Sequence, residues 1–154
     1  MGSLITVAIV TRRLKEGKTY EDFRKAWYHT VGFGTPTKMF TAVNAADPRE
    51  IIVIGFVETT LDRFQAGLQI DVEERLTHSL DDVIEPEIGR RFGILVSEDD
   101  FSSEGAIAYK PPSVAGKETD MDEVSHELFQ IAAMIAAASS ERDRARQKRK
   151  SSGT

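Results

Sequence analysis

Residues 50–57, Glu50-Ile51-Ile52-Val53-Ile54-Gly55-Phe56-Val57, constrain the fold more than any other stretch, because apolar side chains fall at odd and even positions alike. A strand turns alternate residues to opposite faces, so Ile51, Val53 and Val57 share one face and Ile52, Ile54 and Phe56 the other. Such a run reads as a central strand whose two faces both need cover. Leu4 to Arg12 is a second one, with Ile5, Val7 and Ile9 opposing Leu4, Thr6, Ala8 and Val10.

The intervening segments supply helices and a peripheral strand. After the turn Lys15-Glu16-Gly17-Lys18, Thr19 stands three residues before Asp22, a capping-box arrangement that opens a helix expected to run to about Thr30. Its stripe is Tyr20, Phe23, Ala26, Trp27 and Val31, until Gly32, Gly34 and Pro36 break it. Residues 37–46 alternate loosely, as a strand near the sheet edge does, and Asp47-Pro48-Arg49 reads as the hairpin turn into the central strand. Thr59 and Asp62 cap a second helix with stripe Leu61, Phe64 and Leu68. Gly67 and a fresh cap at Asp71 and Glu74 predict a break, after which Val72, Leu76, Leu80, Val83 and Ile84 carry a second stripe to Pro86. Arg91 to Val96 is the last strand.

The order strand, helix, strand, strand, helix, strand, with hairpin pairing and right-handed crossovers, predicts an α+β ferredoxin-like split βαβ sheet. Its spatial order is 4-1-3-2, with both helices on one face. The interior strands are then the first and third, the two that are apolar on both sides. Two helices cover one face only, and an exposed apolar face costs roughly 25 cal/mol per Å². A second copy of the sheet is the most complete cover, so a homodimer through the sheet faces is expected.

This arrangement resembles the dimeric α+β-barrel superfamily, which contains antibiotic-biosynthesis monooxygenase-like, EthD-like and related stress-response domains. The resemblance spans about residues 4–97. It is carried by Thr11-Arg12-Arg13-Leu14, by Lys15-Glu16-Gly17-Lys18, by Tyr20-Glu21-Asp22-Phe23-Arg24-Lys25-Ala26-Trp27-Tyr28-His29 and by Ile51-Ile52-Val53-Ile54-Gly55-Phe56. It implies a fold and a cavity beside the first helix, while the families on this scaffold differ in chemistry. The haem-degrading branch is similar in combining Asn, Trp and His, but the first strand here has no Asn, and that activity is not carried over.

Beyond the domain 1–98, the acidic, Ser/Gly/Pro-rich residues 99–119 read as a surface connector. Asp120 and Glu123 cap a third helix over 120–140, where Met121, Val124, Leu128, Ile131, Ile135 and Ala138 recur at spacings of three and four. Residues 141–154 form a basic flexible tail; Glu141 to Lys150 holds six basic and two acidic residues. The chain has no cysteine, which removes disulfides, thiolate metal sites and thiol nucleophiles. Its net charge of −5 argues against a nucleic-acid footprint over the body. Apolar runs fall far short of the roughly 18 residues of a membrane span, and no basic n-region precedes the first strand, so a cytoplasmic, membrane-free protein is the expectation.

No nucleophile elbow, phosphate-binding glycine loop, dinucleotide fingerprint or metal motif occurs, so no cofactor and no metal are expected. The histidines, His29, His78 and His126, lie in three separate segments. His29 is the candidate catalytic base, placed in the last helical turn where the dipole favours a cation. Phe23, Trp27, Phe40, Phe56 and Phe64 are the candidate ligand-binding aromatics; simple core packing is the competing reading for Trp27. The antiparallel topology also gathers Arg12, Arg13, Arg49, Arg90 and Arg91 at one end of the sheet, an anion-attracting rim or a solvated one neutralised by Glu16, Glu50, Glu85 and Glu87. These features lead to a binder of small apolar or aromatic molecules, with monooxygenase-like chemistry free of cofactors as its catalytic form. The alternative is a homodimeric assembly module without chemistry.

Overall fold

The computed structural model describes residues 3–152. Its elements are β1 (Leu4–Leu14), α1 (Tyr20–Trp27), β2 (Thr37–Asn44), β3 (Asp47–Thr59), α2 (Leu61–Thr77), β4 (Ile84–Ile94), the short pair β5 (Ser113–Val114) and β6 (Lys117–Glu118), and α3 (Met121–Ser151). The four long strands make one antiparallel sheet in the order β2-β3-β1-β4, with β1 and β3 inside.

Register assigns the two faces. Val10 lies opposite Val53 and Arg90, and Ala8 opposite Gly55 and Phe92, so the even positions of β1 and β4 share a face with the odd positions of β3. That face carries the helices. Phe23, Ala26 and Trp27 of α1 pack with Val10, Leu14, Ile51, Val53, Leu80, Val83 and Ile84. Leu61 and Phe64 of α2 meet Leu4 and Ile131, with Leu68, Ile94, Met134 and Ile135 packed around them. α3 therefore joins α1 and α2 on their side of the sheet. It runs alongside α2 in the same direction, from Ile131 beside Leu61 and Phe64 to Arg149, whose Nη1 donates to the Leu76 carbonyl at 2.7 Å.

The opposite face, formed by Ile5, Val7, Ile9, Ile52, Ile54, Phe56 and Phe40, receives no helix. Phe40 is 57% exposed and Ile9 36%, and the rings of Phe40 and Phe56 meet edge to face at 6.0 Å.

Several boundaries depart from the sequence expectation. α1 stops at Trp27, because Tyr28 turns to ψ 128° while its N–H still donates to the Arg24 carbonyl. α2 is continuous through Gly67 and Asp71 to Thr77, and its N-cap is Thr60, which accepts from the Arg63 N–H. Leu80 and Val83 lie in the loop after α2, not on a helix. Pro86 does not end a helix but sits within β4, and Pro48 lies within β3, the hairpin turn being Ala45-Ala46. Both prolines occupy bulges: pairing jumps from Arg12–Ile88 to Leu14–Ile84, and from Val43–Ile51 to Asn44–Asp47. A bulge is where a sheet tolerates a residue that cannot donate to the ladder.

The C-terminal segment also differs. The connector is exposed through 98–112 but ends in the β5–β6 hairpin, whose turn residues Ala115 and Gly116 have φ of 51° and 79°. Positive φ at both central turn positions matches the twist of the paired strands. The basic segment expected as a flexible tail is helical to Ser151. Arg146 Nη2 pairs with Asp81 Oδ1 at 3.0 Å and, with Arg149, anchors this half of α3 to the end of α2 and the loop behind it.

Candidate functional site

Sheet and helices do not close completely on each other. They leave a partly open cavity of about 190 Å³, floored by β1, β3 and β4, roofed by α2 and α3, and bounded at one end by α1 and the 28–36 loop. The hollow follows from small residues at the centre of the floor. Ala8 pairs with Gly55 across β1 and β3, and Met39 lies on the other side of Gly55. A glycine inside an apolar strand leaves unfilled the volume a side chain would take. Gly67 of α2 and Ala138 of α3 extend the same thinness to the roof.

One end of the cavity is aromatic. Phe23 stacks on Trp27 at 6.1 Å, Trp27 meets the His29 ring edge to face at 5.8 Å, and His29 lies 5.0 Å from Phe33. His29 belongs to the loop rather than to α1, so its direction is set by the loop's anchors. Glu74 accepts the Thr30 backbone N–H at 2.5 Å and the Thr30 hydroxyl at 3.0 Å. Arg75 Nη2 donates to the Trp27 carbonyl at 2.9 Å. Two adjacent residues of α2 thus hold the loop that presents His29 to the cavity.

Burial depresses the His29 pKa, opposed by Asp71 and reinforced by Arg75. The ring is therefore neutral at pH 7, the reverse of the cation expected from a helix end. Its Nε2 stands 3.7 Å from Asp71 Oδ1. Its Nδ1 is buried with no hydrogen-bond partner among the described residues. A neutral imidazole in a half-apolar pocket can accept a proton from a bound acid or phenol.

The other end is cationic. Arg12 and Arg90 project from the floor and Arg142 and Arg146 from α3, whereas Arg75 of α2 lies toward the His29 end. Arg12 is only 8% exposed, and its Nε, the Arg90 Nε, and the Arg75 Nε and Nη1 are buried without a partner among the described residues. Desolvation lowers the Arg12 pKa to about 10, helped by Arg90, Arg146 and Arg142. Desolvation likewise lowers Arg90, with Arg142 adding to it and Asp71 and Asp143 opposing it, and lowers Arg75 against the pull of Asp71 and Glu74. Burying a polar group of a cation without a partner costs free energy, so these nitrogens are left unsatisfied by the protein itself.

The expected aromatics divide between the faces. Phe23, Trp27 and Phe64 line the cavity; Phe40 and Phe56 lie on the far face, because alternate strand positions cannot reach the same side. The expected arginine rim divides too. Arg12 and Arg90 turn inward to the cavity. Arg13 pairs with Asp47 at 2.6 Å, and Arg49 donates to the Leu14 carbonyl at 2.9 Å and pairs with Glu85 at 3.5 Å. Arg91 lies opposite Ile9 on the far face.

Sequence reasoning missed Phe33, Asp71, Arg75, Arg142 and Arg146. The last two had a signal: the stripe Ile131, Ile135, Ala138 continues at the same spacing into Arg142 and Arg146. Among the described residues no three His, Asp or Glu side chains gather as a metal site, and no helix is long and apolar enough to cross a membrane. No family model, no curated protein and no solved structure matches this chain.

Proposed function

We propose that the chain is a small-molecule-binding protein of the ferredoxin-like, dimeric α+β-barrel type, holding a one-ring aromatic or similarly compact molecule between its sheet and helices. The observation that carries this reading is the 190 Å³ cavity, which persists although Phe23, Trp27, Phe33 and Phe64 all stand around it. Its size selects the ligand: a cavity of about 150 Å³ admits benzene, whereas drug-sized ligands occupy about 300–1,000 Å³. An assembly module without a ligand has no need of a glycine and an alanine paired at the centre of its core.

Trp27 is the sole tryptophan and lines the cavity, so its fluorescence reports occupancy. Titration with phenol changes that fluorescence in the native chain. Gly55→Val places a branched side chain on the floor where the nearest atoms, Met39 Cε and Cγ, are 3.7 Å from the new Cβ, so the strand accepts the Cβ and the cavity shrinks at its centre. The variant therefore keeps or gains stability, by up to about 1 kcal/mol, while its response weakens. An unchanged response in Gly55→Val, or none in the native chain, removes this reading. Oxygen uptake measured beside the fluorescence separates catalysis, with His29 as base, from binding alone.

A further inference from the structure

Resting on the reading of the cavity as a ligand site, we infer that its ligand is an anion, specifically a one-ring aromatic carboxylate whose charged group lies between Arg12, Arg90 and Arg142 and whose ring lies toward Trp27 and His29. The cluster is built from three separate elements, β1, β4 and α3, and converges on one volume. Arg12 lies opposite Ile88, so Arg90 is its diagonal neighbour on the same face of the sheet. Like charges at neighbouring positions of the floor repel each other, and Arg90 accordingly disfavours the charged form of Arg12; a negative group shared between them relieves this.

The protein's own acids do not supply that group. Among the described residues Asp71 is the one carboxylate lining the cavity; it stands 3.7 Å from His29, and it acts on Arg90 from a distance, as Asp143 does, without pairing with it. Asp81 is taken by Arg146 and Glu74 by Thr30. Arg12, Arg90 and Arg142 make no ion pair among the described residues, and the Nε of Arg12 and of Arg90 remain unpartnered. Guanidinium groups present planar forks that match a carboxylate through two parallel hydrogen bonds. The aromatic end then decides the rest of the molecule: a bare inorganic anion would leave the ring-sized apolar half of the cavity without contacts.

The roof adds a consequence. Arg142 belongs to the last third of α3, which is fastened by Arg146 to Asp81 and by Arg149 to Leu76, both beyond the cavity. The basic end of α3 is thereby a clamp over the bound charge rather than a free tail.

Calorimetry on the full chain with benzoate, benzamide and inorganic phosphate tests the inference, because benzoate and benzamide share a shape and differ in charge. Benzoate should bind at least about tenfold more tightly than benzamide, as charge-assisted hydrogen bonds to guanidinium require. Arg12→Gln and Arg142→Gln should each narrow that preference, weakening benzoate severalfold more than benzamide. Should Arg12→Gln fail to fold, Arg142→Gln, on a helix facing the cavity from outside the sheet, carries the same test. Equal affinities for benzoate and benzamide overturn the anion and keep the cavity as a neutral ligand site. Phosphate competing with benzoate at equal affinity overturns the aromatic acid in favour of a bare anion site. Binding of none of the three overturns the cavity reading together with this one.

Discussion

Thr30 offers both its backbone N–H and its hydroxyl to Glu74, and this single carboxylate fixes the loop that carries His29. The Thr30 backbone N–H, then its hydroxyl and the nearby His29 and His78, hold the Glu74 carboxyl below the ordinary glutamate range against the opposing effect of burial. A folded-state pKa below the unfolded one means that the folded chain binds fewer protons. The stabilisation is therefore complete above the ordinary value of about 4.3 and is lost as pH falls through the lower folded value. His29, also depressed, adds a loss of the same sign beginning below its ordinary pKa of about 6.5. Thermal melts should show stability falling in two stages on acidification. Glu74→Gln should lower the melting temperature by a few degrees at pH 7 and flatten the more acidic stage; an unchanged acid limb would show that Glu74 does not fasten the loop. At this scale the sequence was readable where a residue's partners are local, as in the reciprocal Thr19–Asp22 cap. It was not readable for Glu74 and Thr30, which are 44 positions apart. Arg12 was an intermediate case: its even position in β1 places it with Val10 and Leu14, but its place near a strand end favoured a solvated rim.

Among the elements, α2 shows how a local rule yields to packing. Gly67 and the pattern at Asp71 and Glu74 predict a break, yet the helix continues, because Leu61, Phe64, Leu68 and Val72 remain on one face against the sheet and α3. A glycine inside a helix costs about 1 kcal/mol relative to alanine, less than such a face contributes. A Cβ built at Gly67 would lie 3.8 Å from Phe33 Cδ1, an ordinary contact, and meets nothing closer. Gly67→Ala should therefore stabilise the chain by about 0.5–1 kcal/mol, raising the melting temperature by about 2–4 °C. A fall would mean that the loop packs on α2 more tightly than this contact indicates. The prolines misled for a related reason: Pro86 reads as a helix stop and Pro48 as a turn, since nothing local marks a bulge. In α3 the apolar stripe is legible in the sequence, but the arginines that continue it read as a tail, because charge suggests solvent unless a cationic pocket is already in view.

For the whole molecule the question is what covers the second face of the sheet. Phe40, Ile54 and Ile9 form one continuous row across β2, β3 and β1, flanked by Val7 and Phe56 on one side and Ile52 on the other. α3, the long helix outside the four-stranded unit, does not lie there: it packs with α2 and the helix-side end of the sheet. The far face also carries charges of both signs at its margins, Lys38 and Arg91 on the outer strands and Glu58 at the end of β3, so two copies related by a twofold axis can align opposite charges around an apolar centre. One helix, about 10 Å wide, would shield roughly two strands spaced about 4.8 Å apart, whereas a partner sheet shields four. The proposed dimer should bury more than about 1,200 Å² in total. Sedimentation at micromolar concentration should then give twice 17.1 kDa. Ile54 sits at the centre of the row while Val53 faces the cavity, so Ile54→Asp should yield a monomer or an unfolded chain. Arg91→Glu at the margin should weaken association in a salt-dependent way without unfolding the protein. A native chain that sediments as a stable monomer at those concentrations would show that the sheet's second face stays in water.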